Sequence, residues 1–213
     1  MGGDFDRQQL LTFLRAIDRN LRSEVEVVVV GGAALSIAYG VEKRTSDIDV
    51  IELKGSNEDL ARALRLAWED TGLAVAISPA TVTVIPDQFE GRLRKARGLR
   101  LRRLKFVVPE KYDLALSKIA ASTARPHDLD AVLDLHDKHR LSRNQLLARF
   151  DAEMARVSVA DERQLALTMA VAVAELYGDQ SAREFARRYG VPLPKLKPSP
   201  SPAARPARRR RTP

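Results

Sequence analysis

The run VEVVVV at residues 25–30 narrows the folds open to this chain more than any other feature. Five of its six positions are valine. The branched side chain is stiff at χ1 and packs well on a pleated surface, so the run predicts a strand buried on both faces. Such a strand needs partners in a sheet and helices over that sheet. The run ends in Gly31 and Gly32, passes through AALSIAYG at 33–40, and leads to Asp47-Ile48-Asp49-Val50. Alternation in DIDVIEL at 47–53 predicts a second strand, with Asp47 and Asp49 on one face and Ile48 and Val50 on the other.

The surrounding pattern predicts an α/β (α+β) fold. Leu10, Leu11, Leu14, Ile17 and Leu21 recur at helical spacing before the valine run. A short helix is expected over 33–40, and NEDLARALRLAWED at 57–70 reads as an amphipathic helix capped by Ser56 or Asn57. Segments 73–77, 81–85 and 99–108 read as strands, with Pro79 and Pro86 as breaks. After Pro109 the pattern turns helical, over 110–123, 127–138, 143–156, 160–177 and 180–189. The expected organisation is a small mixed-sheet core flanked by helices over 1–108, a helical domain over 109–190, and a tail over 191–213.

Charge and composition exclude several functions. The net charge of +8 is concentrated in the tail VPLPKLKPSPSPAARPARRRRTP, which holds seven basic residues, no acid and seven of the eleven prolines. Proline lacks an N–H and resists helix and sheet, so this segment is expected to be a disordered cationic arm. The absence of cysteine removes disulfides and thiolate chemistry. No apolar run reaches membrane-spanning length, and the first twenty residues lack the basic and apolar regions of a leader, so the expected location is the cytoplasm. LALTMAVAVAELY at 165–177 is apolar nearly all round and reads as a core helix.

The glycine pair and the acid pair define the candidate site. Glycines at a strand end allow close backbone approach, and the first N–H groups of the following helix make a phosphate site. Two carboxylates side by side repel each other, and a cation relieves that repulsion. Mg²⁺ takes one or two carboxylates together with substrate phosphates, so Asp47 and Asp49 are its candidate ligands.

A strand, Gly-Gly, fourteen residues and then Asp-Ile-Asp resembles the signature of the DNA polymerase β-type nucleotidyltransferase superfamily. The form GGAAL…RTSDIDV looks most like its AbiEii and MenT-like branch of toxin-type enzymes. YDLALSKIAASTARPHDLDAVLDL resembles the later block of that branch, with Lys118, Arg125 and Asp128 at its marked positions. The resemblance implies a magnesium-dependent nucleotidyltransferase. Gly31 and Gly32 would hold the nucleotide phosphates together with Lys43, Arg44, Thr45 and Ser46. Asp47 and Asp49 would bind Mg²⁺, Lys118 would reach the triphosphate, and Asp128 would be the later acidic catalytic residue, with Asp130 a competing candidate. It also implies an NTP substrate, an acceptor such as RNA or tRNA, and a role in toxin–antitoxin or phage-defence systems with a cognate partner protein. The sequence departs from the family where Lys43 precedes Arg44, so either could meet phosphate, and where 99–108 carries no third carboxylate. That second departure keeps open an inactive, nucleic-acid-binding or regulatory member of the fold.

Residues 92–105, RLRKARGLRLRRLK, hold eight basic residues. They form either a solvated hairpin face or a polyanion-binding surface, on which Arg100, Arg102 and Arg103 are the candidate acceptor contacts. His136 and His139 lack a third convergent ligand and read as a solvated helix terminus.

Overall fold

The computed structural model describes residues 4–42, 44–80, 84–96, 98–154 and 162–193. Helix α1, Arg7–Asn20, opens with a capping box: the Asp6 carboxylate accepts the Gln9 N–H, and the Gln9 side chain accepts the Asp6 N–H, each at 2.9 Å. Its apolar stripe through Leu10, Leu14 and Ile17 is fully buried. The valine run forms β1, Val25–Val30, and leads directly into α2, Gly31–Tyr39. Strand β2 is Asp47–Lys54, helix α3 is Asn57–Thr71 and packs along α1, and β3 is Ala76–Pro79. A 3₁₀ turn at Phe89–Arg92 precedes β4, Arg94–Lys95, and β5, Leu104–Val108. The helices that follow are α4, Lys111–Ala121, α5, His127–His139, α6, Arg143–Arg149, α7, Glu162–Tyr177, and α8, Asp179–Tyr189. None of the helices among the described residues is long and apolar enough to cross a membrane.

Strand β1 is the middle of a five-stranded mixed sheet in the order β3-β2-β1-β5-β4. It runs antiparallel to β2 and parallel to β5, and only Glu26 of its six residues escapes full burial. The acidic strand therefore lies directly beside the strand that ends in the glycines, with Val30 opposite Asp49.

Four expectations shift, each for a local reason. The strand expected over 99–108 begins only at Leu104, because buried Asp18 of α1 takes the preceding amides. Its carboxylate accepts the N–H groups of Arg102, Arg103 and Leu104 at 2.7–3.0 Å. The strand expected over 73–77 moves to Ala76–Pro79, where it pairs with β2 from Asp47 to Val50; Pro79 is tolerated because β3 is an edge. The expected strand at 81–85 falls partly on residues outside the described set, and Val84 and Ile85 are not in a strand. The helix expected over 143–156 is α-helical to Arg149 and continues as a π-helical turn, Phe150–Met154. Residues 194–213, most of the tail, lie outside the described residues.

An ionic network fastens the helices to the 3₁₀ turn that precedes β4. Arg92 holds fully buried Asp113 of α4 through two bonds, Nε to Oδ2 at 3.1 Å and Nη2 to Oδ1 at 2.9 Å. It holds Glu153 of the π turn through two more, at 3.0 and 2.7 Å. Arg149 adds bonds to Glu110 at 2.7 Å and Asp113 at 3.1 Å. Burial raises the Glu153 carboxyl, but bonds from Arg92 and the Gln88 N–H outweigh it and leave its pKa below the ordinary 4.5. A depressed pKa contributes stability above the unfolded value, and that stability is lost as pH falls through the folded one. Glu153→Gln should therefore lower unfolding free energy by about 2 kcal/mol at pH 7, a gap that closes as urea titrations move below pH 4.5.

Candidate active site

The Gly31–Gly32 turn is shaped by its neighbours. Gly31 has φ +71°, a left-handed conformation costly for other residues, and a Cβ there would lie well inside van der Waals contact of the Asp49 carboxylate. A Cβ on Gly32 would meet Thr45 Oγ1 at 3.1 Å. The backbone of α2 thus begins pressed against the acidic strand. Val30, which precedes α2, provides no side-chain cap, so the leading N–H groups of the helix remain available to an anion.

Alternation on β2 is as expected: Ile48 and Val50 are buried, while Asp47 and Asp49 emerge on the other face. Thr45 Oγ1 lies 3.1 Å from the Asp47 carbonyl and 3.4 Å from its Oδ1, orienting the first carboxylate. The loop carrying Thr45 is itself pinned by the chain's beginning. Phe5 and Thr45 form an antiparallel bridge with N–H···O bonds of 2.8 and 3.1 Å, and the Arg44 guanidinium donates to the Asp4 carbonyl. Ser46 is exposed beside this loop, and Lys43 lies outside the described residues.

The helical half supplies the facing charges. Lys118 Nζ, on α4, donates to Asp128 Oδ1 at 2.8 Å, and Arg125 Nε lies 3.1 Å from Asp128 Oδ2. Lys118 and Asp128 are both buried, whereas Asp130 is exposed and lies 3.7 Å from His127, so Asp128 is the carboxylate that meets the lysine. These groups act on the acid pair. The Asp49 carboxyl is raised above its ordinary range first by burial and next by Asp47; Lys118 and Arg125 pull it down, and Asp128 pushes it up. Asp47, Asp49, Lys118 and Asp128 therefore converge on one place, together with Arg125, to which the sequence reading gave no role. Its signal is the i,i+3 spacing from Arg125 to Asp128 across a helix start.

Residues 8–176 match the family described as nucleotidyltransferase of unknown function (DUF6036). The chain belongs to that family. The match runs from α1 through the acid pair and the Lys118–Asp128 helices to the end of α7, so the nucleotidyltransferase assignment covers both halves of the site. No curated protein and no solved structure matches the chain.

Within this nucleotidyltransferase the remaining candidates are placed as follows. Strand β5 bears no carboxylate beside β1, and among the described residues no three His, Cys, Asp or Glu side chains form a metal-holding group. Two partly exposed carboxylates on one face still suit a cation that completes its shell with substrate phosphates and water, so the donor set fits Mg²⁺. Arg100, Arg102 and Arg103 are exposed, and Asp18 holds the main chain of the latter two. Arg92 of the same basic run is instead committed to Asp113 and Glu153. His136 and His139 are half-buried against the rings of Tyr177 and Tyr39 at 5.5 Å, and His139 Nε2 donates to the Tyr39 carbonyl at 2.7 Å. They join helices, correcting the expectation of a solvated terminus.

The raised Asp49 pKa gives the acid pair a thermodynamic signature. A carboxylate whose folded pKa exceeds the unfolded value costs stability as pH rises through that folded value. Asp49→Asn should raise the melting temperature of the metal-free protein at pH 7, and the gain should vanish on acidification below about 3.8. An unchanged or lower melting temperature at pH 7 would show that the acid pair carries no repulsion to relieve.

Proposed function

We propose that the protein is a magnesium-dependent enzyme that transfers a nucleoside monophosphate from an NTP to a hydroxyl on an acceptor, most consistent with RNA. The convergence of Asp47 and Asp49 with Lys118, Arg125 and Asp128 at the Gly31 turn carries this reading. The acceptor oxygen forms a bond to the α-phosphorus, the bond from that phosphorus to the bridging α–β oxygen breaks, and pyrophosphate leaves. Asp47 and Asp49 would hold the Mg²⁺, which supplies charge neutralisation at the phosphates and at the entering and leaving oxygens. The open N–H groups at the start of α2 receive phosphate oxygens. Lys118 exchanges its bond with Asp128 for one to the triphosphate, a point-charge contact suited to an ammonium. Asp128, released from Lys118 and steadied by Arg125, would take the proton of the attacking hydroxyl.

The resemblance to the AbiEii and MenT-like branch supports a place in a toxin–antitoxin or phage-defence system, with a cognate partner protein and a tRNA or other RNA acceptor. A second reading, an inactive member of the fold that binds nucleic acid, is favoured by the lack of a carboxylate on β5. Calorimetry separates the two, because wild-type protein that takes up no Mg²⁺–NTP is the inactive form.

Incubation with each α-labelled NTP, Mg²⁺ and total RNA should transfer label to RNA with one or more of the nucleotides. Asp47→Asn and Asp49→Asn should each reduce transfer by about 100-fold or more, in keeping with the several kcal/mol that a bound ion supplies. Full activity in both would overturn the assignment. Lys118→Ala should raise the NTP KM by about tenfold, for the loss of one charge-assisted contact, whichever acceptor is offered.

A further inference from the structure

A second concave, charged feature lies away from the acid pair. A cavity of about 300 Å³ is lined by Tyr39 at the end of α2, Arg94 and Lys95 of β4, Lys111 at the start of α4, and His139 at the end of α5. Three cations line it against one carboxylate. Among the described residues Arg94 and Lys95 have no carboxylate partner, and Lys111 donates only to a carbonyl, that of His139, at 2.9 Å while resting 5.1 Å from the Tyr112 ring centre. Glu110 is that carboxylate, and it is held at 2.7 Å by Arg149, a guanidinium it shares with Asp113.

The walls of this cavity are the far ends of the helices that build the catalytic constellation. Gly31 begins α2 and Tyr39 ends it; Lys118 and Lys111 share α4; Asp128 and His139 share α5. At 1.5 Å per helical residue the walls of the cavity lie ~12, ~10 and ~16 Å along these helices from Gly31, Lys118 and Asp128. Positive charge then continues down the β4–β5 hairpin to the exposed Arg100, Arg102 and Arg103. Cations on an edge strand also discourage pairing with other chains, but that role requires neither a concavity nor the contribution of Lys111 from a helix. An elongated polyanion matches a charged hollow that runs out into a charged band; a compact phosphate would use the hollow alone.

We infer that the Arg94, Lys95 and Lys111 cavity is a phosphate subsite that holds the backbone of a single-stranded nucleic acid a few nucleotides from the reacting hydroxyl. The strand's role as acceptor rests on the transfer reading above; its binding here does not. Few aromatic side chains face the band, so contact is to phosphate and carries little base preference.

The test titrates the full chain against a fluorescein-labelled single-stranded RNA of mixed sequence at several salt concentrations, comparing wild type with Arg94→Gln/Lys95→Gln. Each phosphate contact on a single strand contributes roughly 0.7 to the slope of log affinity against log salt, so losing two should reduce it by about 1.4 and weaken low-salt binding by about tenfold. The tail is identical in both proteins and cancels in the difference. Arg94→Lys/Lys95→Arg should restore the wild-type slope, which a merely misfolded variant could not explain. Mg²⁺–NTP uptake by calorimetry should be unchanged in all variants. Equal slopes in wild type and the Gln variant, or no RNA binding by wild type, would overturn the inference. So would a Gln variant that loses NTP uptake while keeping its RNA slope, since the cavity would then serve the nucleotide. Wild-type protein that binds RNA with the expected slope change yet takes up no NTP would overturn the transfer reading and leave this subsite standing.

Discussion

The clasp of Arg92 and Arg149 around Asp113 sets the position of everything that matters chemically in the helical half. Asp113 has no exposure to solvent, and its two oxygens are satisfied by guanidinium groups from the 3₁₀ turn and from α6. A carboxylate so buried is costly unless its partners are in place, so the network tolerates one arrangement of α4 against the sheet. Lys118 stands five residues farther along the same helix, and its direction follows from that arrangement. The clasp thus bears on the direction of Lys118, while Asp128 holds both Lys118 and Arg125 where they act on Asp49.

The sheet side is constrained by space where the helix side is constrained by charge. The pairing of Val30 with Asp49 brings the start of α2 against the acidic strand so closely that only a glycine leaves room for the carboxylate. The glycine pair therefore serves the position of an acid sixteen or more residues later, as well as the path of its own backbone. Thr45 connects the two, packing under Gly32 and orienting Asp47.

Much of this was legible in the sequence because it is written in short periods. The valine run, the two-residue spacing of Asp47 and Asp49, and the helical stripes of α1 and α3 declare themselves within a few positions. The elements that shifted answer to distant partners. Asp18 looks like an ordinary polar position of an amphipathic helix, yet it takes three amides more than eighty residues away and delays β5. Arg92 reads as one more charge in a basic run, but its carboxylate partners lie on α4 and the π turn. The bridge from Phe5 to Thr45 has no local signal at all. In the candidate site, motifs point to the residues on β2, α4 and α5 and mark Arg125 as well, whereas the contact of Arg125 with Asp128 needed the geometry of a helix start.

The parallel pairing of β1 with β5 bears on how the chain comes to be folded. Val25 of the central strand meets Leu104, so one side of the most apolar strand in the protein has no partner until a large loop has closed. Local pairing with β2 closes a much shorter loop, at about 1 kcal/mol less entropic cost, and involves the smaller sequence separation. Until the larger loop closes the valine edge facing β5 is unpaired, and an unpaired apolar edge is the kind of template that recruits other chains. Asp18, on the first helix, gives the late strand a polar landing point just where its ladder with Val25 must start.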